Sequence, residues 1–218
     1  MSARNRPSFA TNCIETDSSG IRYRVAMAPA TTSARPPGRP RAGIDAVVFA
    51  ATLSTIHELG YTRATMDRIA AAAGVAKTTI YRRWPSKGAL ITDCLLDAFG
   101  PLPLKGTGRE EVLSSVIRWF AARLSEPGLG AAFAGVFVDA VSDPPLREVL
   151  STRLQAPYLR VLQDMLGEPE DRVLLIIDIV AGTMLHRMGM TGASMADADV
   201  TALIEMVLHH LATRSGPA

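Results

Sequence analysis

Thr65 to Leu90, TMDRIAAAAGVAKTTIYRRWPSKGAL, constrains this chain more than any other stretch, because it holds two short helical patterns parted by one glycine. Thr65 can accept an orphan amide proton of a first helical turn, and Asp67 puts negative charge at the positive end of that helix. Met66, Ile69 and Ala73 recur at helical spacing, and Gly74 can take the left-handed conformation that ends a helix, so the spacing predicts a helix from Met66 to about Ala73. A second helix is predicted from Lys77 to Trp84, with Ile80 and Trp84 on a packing face and Lys77, Thr78, Tyr81 and Arg82 on the others. Pro85 stops it, Ser86 can cap the next helix, and Lys87 places a cation at that helix's opening turn.

Two short helices joined by a tight glycine-containing turn make a helix-turn-helix, whose second helix can enter the major groove of DNA. Arg, Lys, Thr and Tyr there supply donors, a methyl group and phosphate contacts, and none needs a catalytic partner. The run Gly74-Val75-Ala76-Lys77-Thr78-Thr79-Ile80-Tyr81-Arg82-Arg83-Trp84-Pro85-Ser86-Lys87 resembles the DNA-binding signature of TetR-family transcriptional regulators. The resemblance extends back to Val48, Phe49, Leu53, Ile56, Gly60 and Tyr61 and departs at Ala76, where the family often has a capping Ser. It implies an all-α fold, with an N-terminal three-helix DNA-binding domain and a C-terminal helical domain for ligand binding and dimerisation. It also implies a double-stranded, palindromic operator, and repression relieved by a small-molecule effector. Lys77, Thr78 and Arg82 are expected at base edges, and Thr79, Tyr81, Arg83 and Lys87 at phosphates.

The charge distribution agrees. Residues 33–90 carry nine Lys or Arg against three acids, whereas the chain from residue 91 onward carries ten bases against sixteen acids. A basic N-terminal part suits a polyanion, and an acidic partner domain limits indiscriminate sticking. Residues 1–42, dominated by Ser, Thr, Pro, Gly and Arg, read as a disordered basic leader. Within it Ala34 to Arg41 forms a proline-punctuated arm whose Arg39 and Arg41 are candidates for the minor groove, the alternative being a solubilising tail or a misassigned start with Met27 as the first residue. The DNA-binding domain is expected over 43–90 and the ligand-binding and dimerisation domain over 91–218.

With 218 residues at 48% hydrophobic, the chain can bury a sizeable core. Two cysteines, Cys13 and Cys94, are too few for a disulfide framework and lack metal-ligand spacing, which fits a reducing cytoplasm. The most apolar run, Val173 to Val180, is short and interrupted by Asp178, so no segment is expected to span a bilayer. Thr107 with Glu110 reads as a capping box for a helix along Val112, Val116, Trp119, Phe120 and Leu124. A short apolar helix over Ala131–Val141 follows. A long helix runs from the Asp143-Pro144 start to Gly167. The last two helices are expected over 171–190 and 195–214, the latter capped by Ser194, and no alternating strand pattern is apparent. Helix 171–190 is apolar almost all round, so a partner subunit is its natural cover and a homodimer through these two helices is expected.

Catalysis has no comparable support, because the chain has no phosphate-binding glycine loop and no nucleophile elbow. His209 and His210 are adjacent on one helix and point about 100° apart, a poor arrangement for shared metal ligation. Neither enzyme activity nor a cofactor or metal is expected, the competing classes being a helical enzyme or a protein-interaction bundle. More than half the chain follows the DNA-binding stretch and must dimerise, sense, or both. Trp119, Phe120, Phe133, Phe137 and Tyr158 are the candidate walls of an apolar effector pocket, with Met184 and Met188 as adaptable lining.

Overall fold

The computed structural model describes residues 15–16, 22–23 and 41–213. The chain divides into two compact units, Met1–Pro40 and Arg41–Ala218. In the first, strands β1 (Glu15–Thr16) and β2 (Arg22–Tyr23) pair antiparallel, with Glu15 opposite Tyr23. Two residues per strand are too few for alternation to register, which is why the sequence gives no sign of them. The rest of the expected leader, Arg39 included, lies outside the described residues. Arg41 does not belong to an extended arm: it is the first residue of a helix.

Apart from its connecting turns and loops, the described part of the second unit is helical. Its elements are α1 (Arg41–Leu59), α2 (Met66–Ala72), α3 (Lys77–Arg83), α4 (Lys87–Phe99), α5 (Arg109–Leu124), α6 (Leu129–Ser142), α7 (Pro144–Val149), α8 (Ala156–Leu166), α9 (Glu170–Thr191) and α10 (Asp197–Thr213). A π-helical segment, Leu150–Gln155, joins α7 to α8 without a break.

Side-chain caps account for several of these starts. Thr65 Oγ1 accepts the amide of Arg68, Ser86 Oγ that of Ala89 and Asp143 Oδ1 that of Leu146, at 3.3, 3.1 and 3.0 Å. Two expected caps are displaced. Gly108, not Thr107, occupies the cap position of α5, and Glu111 rather than Glu110 reaches back, its Oε2 accepting the Thr107 amide at 2.9 Å. The α10 start lies at Asp197, with the Ala196 carbonyl accepting from Val200, so Ser194 is two residues too early to cap it.

The long helix expected from Asp143 to Gly167 is continuous in path but not in hydrogen bonding. Pro157 has no amide to donate and its ring crowds the carbonyl four residues back, and the widened π turns precede it directly.

Two apolar clusters organise this unit. Val48, Met66, Ile69, Ala70, Ile80, Trp84 and Leu90 form the small core beneath α2 and α3. The larger core takes Ile56 from α1, Ile91, Leu95 and Phe99 from α4, and the inward faces of α5 to α10. Helix α4 therefore contributes to both cores across consecutive residues, Leu90 to one and Ile91 to the other. Gly135 makes one close approach possible: a Cβ there would overlap the ring of Tyr61, which packs directly on α6. Helix α9, at 22 residues and with mean hydropathy 1.6 over its most apolar window, is long and apolar enough to cross a bilayer by length and composition alone. The expectation to the contrary considered only Val173–Val180, whereas the apolar character resumes beyond Asp178. Val173, Ile176, Val180 and Met184 of this helix are buried in the larger core.

Candidate nucleic-acid interface

Helices α2 and α3 meet across Ala73-Gly74-Val75-Ala76. Gly74 has φ 64°, the left-handed conformation needed to turn the chain, and the Val75 amide donates back to Ala70 O at 3.0 Å. Ile80 is fully buried and Trp84 nearly so, its ring 5.7 Å from that of Phe49, and together they fix α3 against α1. Lys77, Thr78, Tyr81 and Arg82 are exposed along one side of α3, while Thr79 is half-buried. At about 100° per residue, positions i, i+1, i+4 and i+5 share a face wide enough to meet a groove.

Each cation around this face has a different surrounding. Lys77 Nζ donates to Asp67 of α2, and the carboxylate, first by that bond and then by its charge, raises the lysine pKa; both side chains are well exposed, so water can replace the pair. Arg83, by contrast, is ion-paired with Asp45 of α1 and only 23% exposed. Lys87 donates to Tyr61 O at 3.0 Å and sits 3.6 Å above the Tyr61 ring centroid, with burial lowering its pKa. These two expected phosphate contacts are thus already engaged within the subunit. The sequence marked them as surface cations because their partners, Asp45 and Tyr61, lie 38 and 26 residues away along the chain.

Tyr61 also joins this region to α6. Its hydroxyl donates to Asp139, and desolvation, then that bond, raises the phenol pKa far above its ordinary 10.0. Cys94 is buried with Sγ directed at Phe49 O, 3.8 Å away, and desolvation pushes its thiol up to about 12, so it remains protonated at neutral pH.

Within the larger core lies a cavity of about 560 Å³. Trp119, Phe120, Phe133, Phe137 and Tyr158 line it, as grouped from the sequence. Met184 and Met188 do not: Met184 is buried in the core itself, and Met188 fills the space above Gly130. Phe99, the last residue of α4, belongs to the wall and was missed. Its ring lies 5.8, 5.6 and 5.8 Å from those of Trp119, Phe120 and Phe133. The recurrence Ile91, Leu95, Phe99 was the available signal. Arg147, Ser151 and Gln155, at successive i+4 positions, form a polar strip in the lining, and Asp178 adds a carboxylate. Tyr158 is committed elsewhere, donating to Gly100 O at 2.6 Å.

A buried helix-turn-helix core, an exposed basic and hydroxyl-bearing face, and a separate apolar cavity define a DNA-binding transcriptional regulator rather than an enzyme. Residues 48–94 match the family model of bacterial regulatory proteins, tetR family. An uncharacterized HTH-type transcriptional regulator of Mycobacterium tuberculosis is 28% identical over 180 residues, covering 77% of this chain and 87% of its own. Among solved structures, the fatty acid degradation regulator FadR from Bacillus halodurans superposes with TM-score 0.57 at 21% identity over 79% of this chain and 96% of that one. A TetR-family regulator from Mesorhizobium loti does so with 0.61 at 16% identity over 80% and 98%. The helix-turn-helix stretch, residues 48–94, is thus similar to that of the tetR family, and the fold resembles that of TetR-family regulators over about four-fifths of the chain.

Proposed function

We propose that this regulator is a homodimeric repressor that holds a near-palindromic operator through the exposed face of α3 and leaves it when a small apolar or aromatic effector fills the cavity. The carrying observation is Phe99: the helix that follows the recognition helix ends as part of the cavity wall. An effector seated among Phe99, Trp119 and Phe133 has direct purchase on α4, and it acts through its differential affinity for the two positions of that helix. Lys77, Thr78 and Arg82 approach base edges in this reading, and Thr79 and Tyr81 approach phosphates. Arg83 and Lys87 hold α3 and α4 in place rather than reaching DNA. The cell compartment that holds the chromosome, the cytoplasm, is where such a protein works.

The dimer rests on α9 and α10. Leu175, Ile179 and Met190 of α9 and Met206 of α10 are 48, 38, 72 and 62% exposed, an apolar surface that a second copy would cover.

The experiment is selection from a random duplex library by the purified protein, followed by gel-shift titration. The expected product is a two-half-site sequence whose affinity falls steeply with salt and is lost in a variant combining Lys77→Ala, Thr78→Ala and Arg82→Ala. Undiminished affinity in that variant would remove α3 as the reader. A thermal-shift screen of apolar and aromatic amphipaths tests the effector, the hits being required to lower operator affinity.

A further inference from the structure

One carboxylate in α4 serves two partners on opposite sides. Trp84, which ends the recognition helix, donates its indole N–H to Asp93 Oδ2 at 2.9 Å. Arg153, in the middle of the π-helical segment, pairs with the other oxygen, Asp93 Oδ1, at 2.8 Å. Trp84 is 4% exposed and packed on Phe49, so its ring has little freedom to move independently of α3. Arg153 is flanked in the chain by Leu150, Ser151, Leu154 and Gln155, all of which line the cavity. A three-residue polar path therefore runs from the cavity wall to the end of the helix that faces DNA.

We propose that Arg153 and Asp93 are positioning residues that transmit the state of the cavity to the recognition helix through Trp84. The proposal rests on the DNA-reading and cavity assignments above and adds a path separate from the ring stack at Phe99. The π-helical segment suits this part. Its wider turns occur mostly as single-turn interruptions of α-helices, frequently at functional sites, and a ligand against Leu150 or Leu154 has only to shift it toward regular α geometry to draw Arg153 off Asp93. Asp93 then keeps only the indole as partner, and the side chain that orients Trp84 loses its second anchor. In this structure both links of the path are made, and they hold Trp84, and with it the end of α3, against α4.

The test is a mutant cycle on the duplex selected by the wild-type protein, with the thermal midpoint of every variant measured alongside. Arg153→Gln, which lies in the π-helical segment and not on α3, is expected to weaken operator binding roughly 2- to 30-fold, the range over which residues that couple distant sites act. Arg153→Lys, which keeps the charge, is expected to restore most of it. In the double variant with Trp84→Phe the affinity should be no lower than in Trp84→Phe alone, because both changes cut one path. If Trp84→Phe does not fold, Asp93→Asn replaces it in the same cycle, since Asn retains an acceptor for the indole but not the charge. Wild-type affinity in Arg153→Gln at an unchanged midpoint, or losses that multiply in the double variant, overturn the proposal. In a second arm, 1-anilinonaphthalene-8-sulfonate serves as cavity probe, its binding followed by its own fluorescence. Bound dye is expected to weaken operator binding of the wild type and to have little further effect on Arg153→Gln. Equal weakening in both proteins overturns the path while leaving the cavity reading intact. Dye that does not bind counts against the cavity reading, and the mutant cycle still decides the path. A wild-type protein that selects no duplex overturns the DNA-reading assignment and the path with it.

Discussion

Ile80 and Arg82 stand two positions apart on α3 and meet opposite environments, one fully buried beneath α1 and α2 and the other exposed. Ile80→Ala is expected to cost about 2–5 kcal/mol of stability, measured by urea unfolding, because it leaves a cavity in a core of few residues. Arg82→Ala is expected to leave the unfolding midpoint unchanged and instead relax preference at one base pair by about 1–3 kcal/mol, read from operator variants in a gel shift. Helical spacing made this division legible in the sequence. The intramolecular ties of Arg83 and Lys87 were not legible, because an ion pair with Asp45 or a seat over Tyr61 depends on how α1 and α4 pack, not on local pattern. Tyr61 adds a pH dependence. With its phenol pKa raised in the folded state, the native protein keeps a proton that the unfolded chain releases above its ordinary value of 10.0, so stability falls as pH rises through that window. Tyr158, raised by burial, contributes with the same sign. Alkaline titration followed by tyrosinate absorbance should accordingly show ionisation of these two coinciding with loss of helix, and Tyr61→Phe should reduce the slope of stability against pH above 10.0; normal ionisation of Tyr61 with the helices intact would refute the assignment.

Among the elements, α3 is one of several whose start has no side-chain cap. Its cap residue, Ala76, has the extended backbone of an N-cap, φ −64° and ψ 140°, but no side chain to accept an amide. Ala76→Ser supplies that acceptor without moving the backbone, and a gain of about 0.5–2 kcal/mol in urea unfolding is expected. Little or no gain would mean that water or the Asp67–Lys77 pair already serves the first turn. Helix starts with a single strong capping residue, at Thr65, Ser86 and Asp143, were legible to the residue. Where Thr107-Gly108 and Ser194-Met195-Ala196 offered several registers, sequence could not choose between them, since the winner is set by how the following helix must face the core. The π turns before Pro157 are a consequence of the same kind: the proline was visible, but whether the chain would break, kink or widen depended on the packing of Leu150, Leu154 and Leu159 against the larger core.

At the scale of the molecule, apolar content alone could not say which side of α9 faces inward. Ile176 and Val180 are 3 and 8% exposed in the subunit's own core, where both also line the cavity, so they are not part of the apolar surface that a second copy would cover. The outer side of the helix holds Leu175, Ile179, Gly182, Thr183, His186 and Met190, a stripe at i, i+4, i+7, i+8, i+11 and i+15, all exposed. Small residues at its centre, Gly182 and Thr183, allow a second helix to approach closely, and Met206 continues the apolar surface on α10. Two sets of substitutions on one helix should therefore separate folding from assembly. Ile176→Arg puts an unpaired charge beside the cavity and is expected to unfold or strongly destabilise the subunit. Leu175→Arg with Ile179→Arg leaves the interior untouched and puts like charges opposite one another across a two-fold contact, so the expected product is a folded monomer with unchanged helix content. Sedimentation velocity distinguishes the outcomes, and gel shifts add a functional measure, because a monomer engages one half-site and loses the affinity gained when two linked readers bind together. A double variant that sediments as a dimer, or wild-type protein that is monomeric at micromolar concentration, would move the interface away from this stripe. A folded monomer that still occupies the full operator as tightly as the wild type would instead mean that α3 reads DNA without needing its copy.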